Sequence, residues 1–392
     1  MTEPDQYVGP QALPPERLEA AVALANRVFR QGRGADGDMA REFPTLFCRD
    51  RMEQLRTITC GDEPVSLVGM VAGDVVLLGC PLRVVCIGSV CTDEAHRQAG
   101  LAGRCLDDAV RCAIDGGASL MLISGGRSLY RRRGAFSCGR FVKYALPADA
   151  LPPAGEELEI VEVTSETAGE ALRLFEAEPI RFRRCEADYA TLVLCGGVMD
   201  RPGGTYLARR DGEAAAVVSV NAPRGDEPNR APTVSVRELA GERRTALGLL
   251  SKLADHYAAG SVEIDAYPTD VALKLACAAP AGTAERVGSP YTLKLLDADR
   301  LWSAFRPLLA ERIGASAAAK LRIAAEADEL SIHGLAFESA GERFEAAGAR
   351  EVTAALFGST ELDPLAGAAG ALGRTLRRAL PLPLPLYGLN YI

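Results

Sequence analysis

The sequence predicts an α/β chain of the α+β kind, built as several units rather than one. Three observations predict this. Short β-rich runs alternate with stretches whose apolar residues recur at helical spacing. The same order of strands and helix appears twice along the chain. Finally, 392 residues exceed what one hydrophobic core usually organises.

Taken in order, PPERLEAAVALANRVF has apolar residues at helical intervals behind Pro14 and Pro15, and reads as a first helix. LRTITC, PVSLVGMVAG and VVLLGCPLRVVCIGSVCT are strand-like and parted by the turn signals GDEP and GD. HRQAGLAGRCLDDAVRCAIDGG, residues 96–117, reads as a helix closed by Gly116 and Gly117. SLMLISGG is a short buried strand, RSLYRRRGA a short helix or turn, and FVKYALP the last strand of a first unit, 1–148. The proline-rich connector LPADALPPAGEE opens a second unit, 149–296. There TAGEALRLFEAE, TYLARR, AAAVVSVN, TVSVREL, AGERRTALGLLSKLADHYAAG and SVEIDAY repeat the grammar weakly. Setting Arg97 against Arg243 places Ala246 opposite Gly100. A third unit, 297–392, begins with the helical DADRLWSAFRPLLAERI. It continues through strand-like LRIAAEADELSIHGL and helical VTAALFG, and ends in PLPLPLYGLNYI, where alternating prolines impose an extended tail.

Composition narrows the function classes. No apolar run reaches the ~18 residues of a membrane helix, and the polar, acidic N-terminus lacks the pattern of a secretory signal, so a cytoplasmic protein without membrane partners is expected. The eleven cysteines are odd in number, irregularly spaced and mostly inside apolar runs, as buried reduced thiols would be. A net charge of −8 argues against nucleic acid. Three histidines, His96, His256 and His333, stand far apart, which argues against a metal site and a serine–histidine triad.

The candidate chemistry lies at VCIGSVCTDEAHRQAGLAGRC, a strand, a loop, and a helix with glycine in its first turns. Unpaired N–H groups at a helix N-terminus favour phosphate. Gly100 lets it approach the backbone, Ala102 is small, and Arg97 adds a positive charge. Tight packing of a helix on a strand would use the same short pattern. Arg97-x-x-Gly100-x-Ala102 after a strand resembles the acyl-CoA signature of the GCN5-related N-acetyltransferases (GNAT). LISGGRSLYRRRGAF is similar to that family's strand followed by Tyr-x-x-x-Gly-Phe. The layout of the whole chain resembles the Eis-type (enhanced intracellular survival) members, with tandem GNAT-fold domains and a C-terminal sterol-carrier-like domain.

The resemblance implies mixed central sheets that splay to admit the pantetheine arm, and acetyl-CoA as co-substrate without a metal. It implies contacts from Val90, Cys91, Thr92, Arg97, Gln98, Gly100, Leu101 and Ala102. Tyr130 would be the general acid for the departing thiolate, and the terminal carboxylate of Ile392 would serve the amine. The acceptor would be a primary amine, on a small polyamine-like or aminoglycoside-like molecule or a lysine side chain, attacking the thioester directly. A homo-oligomer, hexameric in that family, is also implied. An acyl-enzyme on Cys91 would need an activating base that the sequence does not place beside it. Phe29, Phe43 and Phe47 could line the acceptor cleft or belong to the core. The alternative reading is a noncatalytic acyl-CoA or lipid-binding protein using the third unit.

Overall fold

The computed structural model describes residues 6–30, 37–155, 157–196, 198, 201–223, 232–278 and 282–392. They pack as two compact units. One comprises residues 1–139, 289–384 and 392, the other residues 140–288 and 385–391. No helix among the described residues is long and apolar enough to cross a membrane.

The first unit begins with β1 (Tyr7–Ala12) and the expected helix, which runs Leu18–Phe29. It continues through β2 (Leu55–Cys60), β3 (Glu63–Leu77) and β4 (Cys80–Thr92) to the helix Leu101–Asp115 and β5 (Leu120–Ile123). The first three connections are antiparallel, and β4 pairs β5 in parallel across the helix. Apolar residues of that helix (Leu101, Cys105, Leu106, Ala109, Val110 and Ala113) recur every three or four positions and bury one face against Ile58, Val68, Val85, Ile87 and Met121.

The second unit holds β6 (Phe141–Pro147), β7 (Leu158–Glu162), β8 (Ile180–Arg183), β9 (Gly203–Arg210), β10 (Glu213–Asn221), β11 (Thr233–Gly241), β12 (Ser261–Ala266) and β13 (Thr283–Val287). Seven of them form one sheet in the order β13-β6-β12-β11-β10-β9-β7. The helix Arg243–His256 crosses over between the parallel strands β11 and β12 and buries Ala246, Leu247, Leu249, Leu250 and Leu253. The two sheets therefore repeat one plan: antiparallel strands, a crossover helix, then a parallel strand. FVKYALP, expected as the last strand of the first unit, is β6 and pairs on both sides in the second sheet, with β12 and β13. The corresponding edge of the first sheet is closed by β14 (Thr292–Leu295), antiparallel to β5. Alternating apolar residues state that a strand is half-buried but do not name its partner.

The rest of the first unit carries helices 298–304, 306–313 and 315–320, and then a three-stranded sheet of β15 (Arg322–Ala327), β16 (Ile332–Ser339) and β17 (Glu342–Ala347). Helix Ala349–Phe357 buries Val352, Leu356 and Phe357, and after the helix Gly370–Ala379 the prolines 381–385 lie outside any helix or strand.

Candidate active site

The β4–β5 pairing runs from Val84↔Leu120 to Ile87↔Ile123 and stops there, although β4 continues five residues further. The cause lies in β4 itself. Leu67↔Cys91 and Gly69↔Gly88 are successive pairs across β3, so β4 carries one extra residue, a bulge at Ser89–Val90. Ser89 takes a left-handed φ of +50°, and its hydroxyl is buried with no hydrogen-bond partner. The strands part at this point.

Past the bulge, Val90, Cys91 and Thr92 lead to Asp93, whose carboxylate accepts from the Ala95 N–H and from Arg27. The expected helix begins later than its glycine-rich sequence suggests. Residues 94–96 form a single tight turn, Gln98 is left-handed at φ +67°, and Gly100 is the N-cap at φ +73°. That conformation is why Gly100 is glycine. A Cβ there would meet nothing within 4 Å, so it would project into open space in front of the helix. No side chain caps this N-terminus, and its leading N–H groups are left for an external acceptor. Gly103 has a different reason: a Cβ on it would sit 2.5 Å from the Arg133 guanidinium. Arg133 crosses the helix there to hold Asp107 through two bonds, 2.5 and 2.9 Å.

All eight candidate donor contacts (Val90, Cys91, Thr92, Arg97, Gln98, Gly100, Leu101 and Ala102) line one open cleft of about 700 Å³. Val28, Phe29, His96, Arg127, Leu129 and Arg132 complete much of its wall. Of the three phenylalanines considered, Phe29 lies in this cleft, while Phe43 and Phe47 are buried. Arg132 belongs to the run Arg131–Arg133, which from sequence reads as a solvated face or as a hold for phosphate, whereas Arg127 was not singled out. The Cys91 thiol is pushed up to about 12 by burial, and so stays protonated at neutral pH. That disfavours it as a nucleophile.

Tyr130 lies in the short helix Ser128–Arg131 after β5 and is buried, while its neighbours Leu129 and Arg132 face the cleft. Gly125, left-handed at φ +109°, passes beside its ring. Ile392 is buried at the parting of β4 and β5, where its main-chain oxygen accepts from Ser124 Oγ at 3.0 Å. Gly88 is required there, since any Cβ would overlap that oxygen. Ser124, which sequence reasoning did not single out, has the same hydroxyl 3.1 Å from Ile87 O, so its one proton is shared between the two oxygens. Among the described residues no cluster of three or more His, Cys, Asp or Glu is arranged to hold a metal.

No protein-family model and no curated protein matches this sequence. Solved structures do match in fold. A GCN5-related N-acetyltransferase from Kribbella flavida is 17% identical, with 100% of each chain covered and a TM-score of 0.63. One from Anabaena variabilis is 13% identical, covering 96% of this chain and 97% of its own, at TM-score 0.64. Eis1 from Mycobacterium abscessus is 12% identical, covering 98% and 100%, at 0.61. The chain has the GCN5-related N-acetyltransferase fold.

Within that fold the second unit repeats the plan of the first but not its open helix terminus. Helix Arg243–His256 is capped by Glu242, whose carboxylate accepts from the N–H groups of Arg244 and Thr245 at 2.9 and 2.7 Å. Burial pushes the Glu242 carboxyl up, but bonds from Thr245 and the two backbone N–H groups outweigh it and hold the pKa below its usual value. Arg243 is held by Glu178 and Asp270. The counterpart of the N-cap Gly100 is therefore Glu242, and Ala246 is a buried residue inside the helix. The expected match of Gly100 with Ala246 is four residues out of register, because arginine follows the N-cap in the second copy and precedes it in the first.

Proposed function

We propose that the protein is an acetyl-CoA-dependent N-acetyltransferase of the GCN5-related superfamily and the Eis type. The observation that carries this is the convergence of the eight donor candidates on one cleft before an uncapped helix N-terminus. The pyrophosphate would lie on the N–H groups following Gly100, with Arg97 alongside, and the pantetheine arm would run toward the parting of β4 and β5. The amine of a polyamine, an aminoglycoside or a lysine would attack the thioester carbonyl carbon. The C–S bond breaks as the C–N bond forms, and Tyr130 protonates the departing sulfur. The ammonium is oriented, and one of its protons accepted, by the terminal carboxylate of Ile392, and the second proton the nitrogen sheds on becoming an amide restores the Tyr130 phenol. A sterol-carrier-like last part, homo-oligomeric assembly and a cytoplasmic location belong to the same proposal.

The test measures CoA release from acetyl-CoA against polyamines, aminoglycosides and lysine peptides. Amine-dependent release is expected. Acetyl-CoA that binds but never turns over with any amine would make the protein a binder instead. Adding a few glycines after Ile392 keeps every side chain and displaces the carboxylate. Acetyl transfer should collapse with acetyl-CoA affinity intact, and an extended protein of full activity would remove Ile392 from the mechanism.

A further inference from the structure

We infer that Glu238 and Arg184 are positioning residues: they grip the main chain and Asn390 of the last turn, and so fix the register in which the chain runs on to the Ile392 carboxylate. This rests on the amine-side role proposed for that carboxylate. In the second unit, β11 and β12 pair from Thr233↔Ser261 to Val236↔Ile264 and then cease. An extra residue in β11, Arg237, makes a bulge opposite β10. The parted strands leave the same kind of wedge as in the first unit. Here the chain's own residues 386–390 occupy it. Leu386 N donates to Tyr267 Oη at 2.8 Å, just past β12, and Leu389 N donates to Glu238 Oε1 of β11 at 2.8 Å. Leu389 itself is buried among Val163, Leu172, Phe175 and Tyr189.

The grip is made of buried charge. Arg184 donates Nη1 to Glu238 Oε2 at 3.0 Å and Nε to Asn390 Oδ1 at 2.8 Å, and the pair's side chains are only 3% and 5% exposed. Its guanidinium lies 5.3 to 5.9 Å from the ring centres of Phe175, Phe182 and Tyr189. A buried ion pair is weak evidence for stability, since apolar residues of equal volume often serve as well. An apolar replacement could not accept from Leu389 N–H or donate to Asn390. Those bonds, with the one from Leu386 N to Tyr267, set the register of the tail. Gly388 supports it: φ is +55°, and a Cβ there would overlap the Glu238 carboxylate. The distances decide the importance of register. A slip of one extended residue moves the end by roughly 3.3–3.6 Å, as much as the whole ~3–3.5 Å separation of reacting atoms.

Gly388→Ala and Asn390→Ala test this. One crowds the carboxylate, and the other deletes the acceptor of both Arg184 bonds to Asn390 without entering the core. Amide exchange at Leu389 should rise in both, acetyl-CoA affinity should hold, and kcat at neutral pH should fall by about tenfold or more. The deficit should shrink as pH rises toward ~10, where the amine arrives neutral without help. A merely structural defect would not recover with pH. Unchanged exchange and unchanged pH profiles in both variants would overturn the grip. A wild-type protein inactive on every amine would instead overturn the proposed function, leaving the exchange result to judge the grip alone.

Discussion

Tyr130 and Cys91 separate direct attack from an acyl-enzyme. Tyr130 is buried and does not itself line the cleft, although its chain neighbour Leu129 does, and the Cys91 thiol is held protonated by burial. Tyr130→Phe keeps the packing and removes the proton, so turnover should drop roughly 10² to 10⁴-fold with acetyl-CoA affinity unchanged. Cys91→Ala should leave a single-step rate law and substantial turnover. Steady-state kinetics in both substrates checks the pair: parallel double-reciprocal lines in the wild type, abolished in Cys91→Ala, would reinstate a covalent intermediate. At this scale residue type and spacing offered Arg97, Gly100 and Ala102 as candidates, and the family resemblance supplied the other five residues that share their cleft. Ser124 was not legible, since its role depends on a bond to a residue 268 positions away.

Between elements, the open helix after Gly100 contrasts with the self-capped helix after Glu242. Gly100→Val should therefore lose acetyl-CoA binding, and calorimetry on the wild type should find one site per chain. A branched residue at φ +73° is also strained, so the melting temperature of the variant must be read beside its affinity. Two sites per chain, or a Gly100→Val protein that binds normally, would be the contrary result. Many of the helices and strands were readable from their periods, though β1, β7, β14 and the helix Gly370–Ala379 were not. The helix start was not: sequence placed it at residue 96, while Gln98 and Gly100 in left-handed backbone delay it to Leu101. FVKYALP was recognised as a strand but given to the wrong sheet, because its apolar faces fit either one.

For the molecule as a whole, buried titratable groups shape stability against pH. Burial lowers Lys294 to about 8, with its Nζ donating to Arg133 O and Ser331 Oγ. From about pH 8 to the unfolded value of 10.5 the unfolded chain keeps a proton that the folded chain has lost, so this group makes stability rise with pH. Cys91 and Cys105, both pushed up to about 12 chiefly by burial, act oppositely: above their unfolded value of 9.0 the unfolded thiols ionise first and stability falls. Urea midpoints from pH 7 to 10 should show the two trends opposing. Lys294→Met should remove the rising contribution and leave a steeper decline, and an unaltered profile would remove Lys294 from this balance. Composition anticipated the buried thiols. It could not anticipate a buried lysine, whose depth depends on which strand closes the sheet.

Glu242 has a consequence for chemical rescue. Its carboxylate stands at a helix N-terminus where the first unit has none, so the second helix carries a covalently attached anion of its own. Shortening it in Glu242→Ala should cost about 0.5–2 kcal/mol, the usual loss for a cap. It should also turn a self-sufficient terminus into one that takes an anion from solution. Formate or phosphate, added at constant ionic strength, should then raise the melting temperature of Glu242→Ala more than that of the wild type. Equal responses of the two proteins would mean that the freed N–H groups find water enough.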